Sequence, residues 1–283
     1  MALKLLYITK DPAVARIAEA AGVDRIWADM EYIGKAARQG GMDTVQSCHT
    51  VEDVRTIRAA VKTSQVLVRV NPIHSATADY CSSEQEINDV IEAGADVIML
   101  PYFKTVKEVQ TFLDIVDGRI PTQLLLETPE AVEVVDEILR LPGVDEIHIG
   151  LNDLSLGYGM KFMFELLADG TVDMLCGKFR AAGIPYGFGG IAAPGQGVVP
   201  AEQVIAEHYR LGSTCAILAR SFCNTGLVTD LKEIERIFQT GVKAIRDFEK
   251  KCAAGEVDFD ANRAVVCQNV QRVCGAVTTK EKV

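Results

Sequence analysis

The chain has 283 residues, of which 48% are hydrophobic and 24% charged, and its formal net charge is −10. This composition favours one large folded core and argues against a disordered chain. The acidic balance, with no cluster of lysine and arginine, excludes a nucleic-acid-binding surface of the usual kind. Because no apolar run is long enough for a signal peptide or a membrane span, the sequence predicts a cytoplasmic protein without a membrane partner.

Eight short apolar runs recur along the chain. In order they are KLLYIT, RIWADM, QVLVRV, DVIMLP, TQLLLE, EIHIGL, IPYGFG and CAILAR. The segments between them, such as DPAVARIAEAAG and TVKEVQTFLDIVDG, have helical periodicity, and several open on Ser, Thr or Asp and close on Gly. Strands that alternate with helices of this length predict parallel βα units. Eight units, with no Gly-x-Gly-x-x-Gly after the first strand, favour a closed (β/α)₈ TIM barrel over an open dinucleotide-binding sheet.

The sequence predicts a single domain over residues 1–283, with the barrel at about 3–226 and a helical extension at about 227–283. Within the extension, LVTDLKEIERIFQTGVKAIRDFEKK predicts a long amphipathic helix followed by a polar tail. This helix has more apolar surface than one barrel flank requires, which predicts a homo-oligomer. After strand six, the Met- and Phe-rich segment GYGMKFMFELLADG is interpreted as buried packing, with a substrate lid or a subunit contact as alternatives.

Polar residues stand where the predicted strands end. The carboxyl ends of barrel strands carry the chemistry in TIM-barrel enzymes, so these residues are the candidate site. In chain order they are Asp29, Glu31, Tyr32, Arg69, Asn71, His74, Glu127, Asn152, Asp153, Ser155, Gly187, Gly189, Gly190, Arg220 and Ser221.

Two of these residues are acids at the ends of neighbouring strands. Glu127 ends the apolar run TQLLLE, where a carboxylate is costly to bury unless a cation or hydrogen-bond donors meet it. Asp153 follows the next strand. Together they can give two oxygens to Mg²⁺ or Mn²⁺ and leave positions for water and substrate. The alternative is that Glu127 caps the following helix or pairs with Arg69, and that Asp153 is a turn residue.

Four spaced motifs resemble a known family. VRVNP, ADVIMLP, LLLETPEAVEVVDEIL and GVDEIHIGLNDLSLGYG occur in the same order in the HpcH/HpaI aldolase and citrate lyase β-subunit family, and the resemblance extends from about Asp24 through Arg220. It implies a (β/α)₈ barrel that oligomerises through its last helix, as a trimer or hexamer. It also implies a divalent metal ion, Mg²⁺ or Mn²⁺, held by Glu127 and Asp153 against the carboxylate and keto oxygens of pyruvate.

By the same resemblance, Arg69 faces the keto or enolate oxygen, and backbone amides around Asn152 hold the substrate carboxylate. The implied activity is a metal-dependent carbon–carbon lyase that releases pyruvate from a 2-oxo acid, or adds it to an aldehyde, through an enolate. A metal ion and an arginine at the developing oxyanion stabilise that charge without covalent catalysis. The rival strategy is a lysine Schiff base, but no lysine ends a strand, although Lys104 closely follows strand four.

Other functions use the same residues. One is citrate-lyase-like thioester cleavage, decarboxylation or phosphoenolpyruvate chemistry on the same enolate site. Another is a catalytically silent protein that binds a metal ion and a small acid. A departure from the family motif keeps this second alternative open, because many members read D-x-E-H after strand two and this chain reads Asp29-Met30-Glu31-Tyr32.

The histidine that acts as general base in those members is therefore absent. Glu31 remains and is predicted to contact the metal's waters, and Tyr32 is predicted to donate a proton, although a tyrosine is a poor base near neutral pH. His74 and His49, both in predicted loops at the same rim, are the candidate replacements. His148 lies inside strand six and His208 on a helix, and both are interpreted as structural.

A second group of candidates follows strands six to eight. TIM barrels often bind phosphate after strands seven and eight. Gly189 and Gly190 allow backbone amides to approach an anion, and Arg220 can clamp it with two hydrogen bonds. Ser155 completes the predicted substrate contacts. The alternative for Arg220 is an ion pair with an acid on the rim.

Overall fold

The computed structural model describes residues 2–35 and 47–280. Eight parallel strands form a closed barrel in which each strand pairs with the next and the last pairs with the first. The strands are β1 (Lys4–Ile8), β2 (Arg25–Asp29), β3 (Gln65–Arg69), β4 (Val97–Leu100), β5 (Thr122–Leu126), β6 (Glu146–Ile149), β7 (Tyr186–Ile191) and β8 (Cys215–Leu218). Every one overlaps an apolar run of the sequence, so the predicted (β/α)₈ barrel is confirmed.

Helices surround this barrel. Those in the described part of the chain are α1 (Pro12–Ala20), α2 (Val51–Ala60), α3 (Ser83–Glu92), α4 (Val106–Val116), α5 (Pro129–Glu133), α6 (Val135–Ile138), α7 (Leu151–Gly157), α8 (Glu165–Ala168), α9 (Thr171–Ala182), α10 (Ala201–Leu211), α11 (Leu231–Ala253) and α12 (Phe259–Lys280). Side chains cap several of them as the sequence predicts. Thr50 and Thr105 each complete a capping box with the acid three residues later.

The segment after β5 departs from the predicted single helix. It divides at Val134, where ψ is 10°, into the short helices α5 and α6. Three β-branched residues, Val132, Val134 and Val135, stand close together here and lower the helix propensity. The chain still follows the barrel wall, so this break does not change the topology.

The barrel interior contains an apolar layer and a polar layer. The apolar layer consists of Leu6, Trp27, Leu67, Val97, Met99, Leu125 and Cys215. At the amino ends of the strands, Arg25 forms a buried ion pair with Glu146, and the Gln123 side-chain amide donates to Glu146 at 3.0 Å. Because this end is closed by paired charges, the opposite end of the barrel is the one available for a ligand.

The C-terminal extension is more ordered than predicted. The sequence predicts a polar tail after the terminal helix, and this prediction is wrong, because residues 259–280 form a further helix, α12. Val266 and Val270, four residues apart, are buried, and the Asn262 amide donates to Glu207 on α10 at 2.9 Å. The apolar face of α11 packs on α1 and α10 within the chain. The homo-oligomer inferred from that face stays a prediction.

The Met- and Phe-rich segment after β6 packs as the sequence predicts. Phe164 is buried, and Met160, Phe162 and Met163 are half-buried against the core. The rings of Phe162 and Phe164 meet edge to face with centroids 5.4 Å apart.

Among the described residues, no helix combines the length and the apolar character needed to cross a bilayer.

Two histidines are buried as neutral rings. His208 stacks parallel to Phe188 with centroids 3.9 Å apart, and its Nδ1 lies 2.8 Å from Ser213 Oγ. Burial lowers the pKa of His208 to about 3. Burial likewise lowers the pKa of His148, inside the barrel, to about 4. The sequence analysis interpreted His148 and His208 as structural residues, and their burial agrees with that interpretation.

We expect His208 to make the fold sensitive to mild acid. Between pH 7 and pH 5 the unfolded chain protonates a histidine of ordinary pKa, whereas folded His208 stays neutral, so stability falls as the pH falls. The expected loss is about 1–2 kcal/mol for each such histidine. His208→Phe, which keeps the stacking, should lose less stability than wild type over this interval in urea unfolding at pH 7 and pH 5. Equal losses in both proteins would contradict the assignment.

Candidate active site

A cavity of about 240 Å³ opens at the carboxyl ends of the strands. Its lining residues are Trp27, Arg69, Leu125, Glu127, His148, Ile149, Gly150, Leu151, Asn152, Asp153, Met163, Gly189, Gly190, Ile217 and Ala219. Six predicted site residues are therefore brought together, namely Arg69, Glu127, Asn152, Asp153, Gly189 and Gly190. Glu31, Tyr32, His74, Ser155 and Arg220 are not among the lining residues.

Arg69 is fixed from several sides at the end of β3. Its Nε and Nη2 each donate to one carboxylate oxygen of Asp29 at 2.8 Å, and its Nη1 lies 3.2 Å from Glu31 Oε2. The guanidinium carbon also lies 5.0 Å from the centroid of the Trp27 ring. A bidentate pair with a cation–π contact holds the guanidinium in one orientation, which is what an oxyanion donor requires.

Lys35 completes this group, although the sequence analysis did not single it out. Its Nζ lies 3.0 Å from Asp29 Oδ2 and 3.5 Å from Glu31 Oε2, and the side chain is buried. Lys35 stands six residues beyond β2, directly after a turn at Ile33 and Gly34, and no motif in the sequence marks it. We call Asp29, Glu31, Lys35 and Arg69 the buried quartet.

The charges of the buried quartet stabilise one another. Burial alone would raise the pKa of Asp29, but the charges and hydrogen bonds of Arg69 and Lys35 outweigh it and hold that pKa well below its usual range. Burial alone would lower the pKa of Arg69, but Asp29, Glu31 and then Glu127 raise it. Arg69 therefore stays a cation.

Glu127 does not cap the helix that follows it. Thr128 is the N-cap of α5, and its hydroxyl oxygen accepts from the Ala131 N–H at 3.1 Å. Glu127 is buried, and its Oε1 accepts from the backbone N–H of Tyr102 at 3.1 Å. Tyr102 has φ of 48°, an uncommon backbone conformation for a bulky residue. The alternative that Glu127 caps the following helix is therefore wrong.

Gly150 leaves the room that Glu127 occupies. A Cβ at position 150 would lie 2.7 Å from both the Cβ and the Oε2 of Glu127. Asp153 follows on the first turn of α7 and is half-buried in the same cavity. Two carboxylates from adjacent strand ends therefore face one small space.

The donor set fits an open metal site. Within residues 2–35 and 47–280, no group of three or more His, Cys, Asp or Glu side chains could enclose a metal ion. Mg²⁺ is commonly bound through one or two carboxylates, with water and substrate completing its shell. Glu127 and Asp153 match that pattern, whereas a closed structural zinc site would need four protein ligands.

The candidate histidine bases lie outside the cavity lining. His49 Nδ1 accepts from the Asp29 N–H at 2.9 Å, so the lone pair that a base would use is engaged, and burial lowers its pKa. His74 Nε2 contacts the Cys81 carbonyl oxygen at 2.9 Å, and its Nδ1 lies 2.8 Å from the Pro72 carbonyl oxygen. His49 and His74 are thus held by the backbone of their own surroundings.

The other predicted residues have local roles. The Tyr32 ring lies 5.1 Å from that of Tyr80, and burial raises the pKa of Tyr32, so an even smaller fraction of it is ionised near neutral pH. Ser155 is buried, and its hydroxyl donates to the Asn152 carbonyl at 2.7 Å, within the first turn of α7.

Gly189 and Gly190 line the cavity as predicted, but Arg220 and Ser221 do not. Gly189 has φ of 53°, and a Cβ there would lie 2.8 Å from Leu151 Cδ1. Ser221 lines a different cavity, beside α11. The proposed anion clamp by Arg220 therefore draws no support from the cavity lining.

Two aromatic rings form the floor of the cavity, one layer below the rim. Trp27 and His148 both line it, and neither Trp27 Nε1 nor His148 Nε2 has a hydrogen-bond partner among the described residues. His148 Nδ1 lies 3.6 Å from Cys215 Sγ. The sequence placed His148 in the core and missed that it also borders the cavity, because a strand residue's depth below the rim depends on barrel stagger.

A comparison with models of known protein families gives a match. Residues 4–165, more than half of the chain, match the family model described as HpcH/HpaI aldolase/citrate lyase. A comparison with curated proteins finds no match.

Solved structures share the fold at low sequence identity. A HpcH/HpaI aldolase/citrate lyase family protein from Burkholderia cenocepacia J2315 is 16% identical, with a TM-score of 0.61 over 82% of this chain and 94% of that chain. The HpcH/HpaI aldolase from Desulfitobacterium hafniense DCB-2 is 17% identical, with a TM-score of 0.57 over 86% and 93%. The citrate synthase SbnG is 18% identical, with a TM-score of 0.58 over 82% and 92%.

At these identities the structural likeness shows the fold alone, and the family model shows the relationship. The chain belongs to the HpcH/HpaI aldolase/citrate lyase family.

Proposed function

We propose that this protein is a divalent-metal-dependent carbon–carbon lyase that acts on a 2-oxo acid through a pyruvate enolate. The family consists of enzymes of the aldolase and citrate lyase type, which supports a lyase-like activity in general. The observation that carries the finer proposal is the convergence of Glu127, Asp153 and a fixed Arg69 on one small cavity.

The cavity suits a small acid. Its volume of about 240 Å³ is below the range usual for drug-sized ligands. Glu127 and Asp153 would hold Mg²⁺ or Mn²⁺, which would supply Lewis-acid polarisation of the substrate's keto oxygen. Trp27, Leu125, Ile217 and other apolar side chains exclude bulk water from the lower part of the cavity. Exclusion of water strengthens every charge interaction there.

Arg69 is assigned to the enolate oxygen. It stays protonated, it is orientated by Asp29 and Glu31, and it borders the same cavity as the two acids. A preorganised cation at the place where negative charge develops stabilises the transition state without reorganisation. Glu31 acts through Arg69 in this scheme, and the geometry gives Tyr32 and His74 less support as proton carriers.

The partners proposed are a pyruvate-like 2-oxo acid and further copies of the chain in a homo-oligomer. An enolate site also serves carbon–carbon bond formation, and the citrate synthase SbnG shares this fold. The alternative is a protein that binds a metal ion and a small acid through the same residues but catalyses no reaction. Exchange of the pyruvate methyl protons with deuterium, with and without Mn²⁺, separates an enolising enzyme from a silent protein.

The first prediction concerns the metal ligands. Glu127→Gln and Asp153→Asn should each remove Mn²⁺ binding measured by calorimetry, because each replaces a charged oxygen ligand with a neutral amide. Glu130→Gln is the matched control, since Glu130 lies nearby but is exposed and paired with Lys104. Wild-type Mn²⁺ affinity in either Glu127→Gln or Asp153→Asn would show that the metal site is misplaced.

The second prediction tests the space reserved for Glu127. Gly150→Ala should displace that carboxylate and weaken Mn²⁺ binding about 10- to 100-fold, as changes next to metal ligands commonly do. Gly177→Ala on α9 is the control, because no atom lies within 4 Å of the added Cβ. If the two variants bind Mn²⁺ equally well, Glu127 is not a ligand in this position.

The third prediction concerns Arg69. Loss of one preorganised oxyanion donor costs on the order of 100- to 1000-fold in turnover, and we expect Arg69→Lys to lower deuterium exchange into pyruvate by about this factor. Arg69→Lys keeps the charge beside Asp29 and Glu31, so it should fold and still bind Mn²⁺. If Arg69→Lys exchanged pyruvate protons at the wild-type rate while His74→Ala lost this exchange, His74 and not Arg69 would have the main role in forming the enolate.

A further inference from the structure

Two side chains on opposite walls of the barrel project toward its axis below the rim. Arg25 on β2 and Glu146 on β6 form an ion pair across the barrel interior. Trp27 and His148 stand two residues further along the same strands, and alternate residues of a strand point to the same side. Trp27 and His148 therefore project inward one level above the ion pair, and both line the cavity. We call them the floor pair.

Each member of the floor pair has a ring nitrogen without a protein partner. Trp27 has 2% of its surface exposed and His148 has 0%. Neither Trp27 Nε1 nor His148 Nε2 has a hydrogen-bond partner among the described residues. An unpaired buried donor or acceptor is costly and calls for an explanation. Because both residues line one cavity, the explanation that the geometry favours is a polar atom of a ligand.

The contacts of the two rings leave these nitrogens available. The Arg69 guanidinium lies over the face of the Trp27 ring, whereas the indole N–H lies in the plane of that ring. His148 Nδ1 lies 3.6 Å from Cys215 Sγ. Nε2 is one bond further from the backbone than Nδ1, so in a side chain that points inward it lies nearer to the barrel axis.

A glycine makes the contact between His148 and Cys215 possible. His148, Gly187 and Cys215 stand side by side on β6, β7 and β8. A Cβ at position 187 would lie 2.4 Å from Cys215 Sγ, so a larger residue would close the gap between the thiol and the imidazole. Burial raises the pKa of the Cys215 thiol and lowers that of His148 to about 4, so both groups stay neutral.

A neutral floor pair suits a group that both accepts and donates a hydrogen bond. The Trp27 indole N–H only donates, and a neutral imidazole has one nitrogen that accepts and one that donates. A hydroxyl group can accept from Trp27 and pair with His148 Nε2, whichever ring nitrogen holds the proton. A methyl group in the same place can do neither.

We propose that the floor pair binds a hydroxyl group of the substrate, so that the cavity selects a 3-hydroxy-2-oxo acid over an acid with a methyl group in that position. This inference rests on the proposed function, in which C1 and C2 carry the carboxylate and the keto group. C3 is then the nearest carbon that can carry a further oxygen. Substituents of an enolate carbon lie in its plane, so the hydroxyl leaves a face of C3 free for an aldehyde.

Two ligands of equal size test this proposal. 3-Hydroxypyruvate and 2-oxobutyrate differ only in a hydroxyl or a methyl group on C3. In calorimetry with Mn²⁺ present, wild type should bind 3-hydroxypyruvate about 10-fold more tightly or better, because the methyl analogue leaves the buried polar groups unpaired. Equal affinities, or tighter binding of 2-oxobutyrate, would overturn the proposal.

Two variants test whether the floor pair is the source of the preference. His148→Phe keeps a ring but removes both nitrogens, and Trp27→Phe removes the indole N–H. Each should lower the ratio of the two affinities about three- to tenfold. His208→Phe is the matched control, because His208 Nε2 is also buried without a partner among the described residues, but His208 does not line the cavity. Wild-type ratios in all three variants would show that another part of the cavity selects the hydroxyl.

A second pair of variants keeps the test valid if His148→Phe folds poorly. The amide of His148→Gln reaches about as far from the backbone as Nε2, and that of His148→Asn about as far as Nδ1. His148→Gln should therefore keep more of the preference for 3-hydroxypyruvate than His148→Asn. The same ratio in both variants would contradict a hydrogen bond from the hydroxyl to Nε2.

These measurements separate the inference from the proposed function. If wild type prefers 3-hydroxypyruvate in binding but exchanges no C3 protons with deuterium, the lyase proposal fails and the hydroxyl site stands. If wild type exchanges pyruvate protons but binds the two acids equally, only the inference about the floor pair fails. If wild type binds neither acid, both are wrong.

Discussion

The bidentate ion pair between Asp29 and Arg69 is the interaction on which the site depends. It joins the ends of β2 and β3, and both side chains are buried, so removing either charge would take a close counter-ion away from the other in a buried place. Through this pair the guanidinium is fixed above Trp27 and toward the cavity. His49 is tied to the same point, because its backbone N–H and its Nδ1 both bond to the Asp29 backbone.

Backbone geometry helps to hold Glu127 at the same cavity. Gly150 has no Cβ where Glu127 needs space, and the backbone N–H of Tyr102 donates to the carboxylate from β4. Three neighbouring strand ends therefore position one acid. The cavity is therefore lined by two acids and a fixed arginine, and these are the charges that the proposed 2-oxo acid and divalent cation require.

The sequence after β2 differs from the family motif D-x-E-H at its last position. Tyr32 stands where many family members have histidine, and its ring packs against Tyr80. His148 and Trp27 line the cavity. The D-x-E-H motif predicts neither the packing of Tyr32 against Tyr80 nor the placement of His148 and Trp27 at the cavity.

The sequence by itself determined the barrel, because eight apolar runs separated by capped helices have one compact parallel arrangement with a common carboxyl end. For the same reason Arg69, Glu127 and Asp153 could be named in advance, since each stands where an apolar run stops. Lys35, the floor position of His148 and the helical fold of residues 259–280 were decided only by tertiary structure. Burial, pairing across loops and barrel stagger depend on atoms distant in sequence, and no local pattern encodes them.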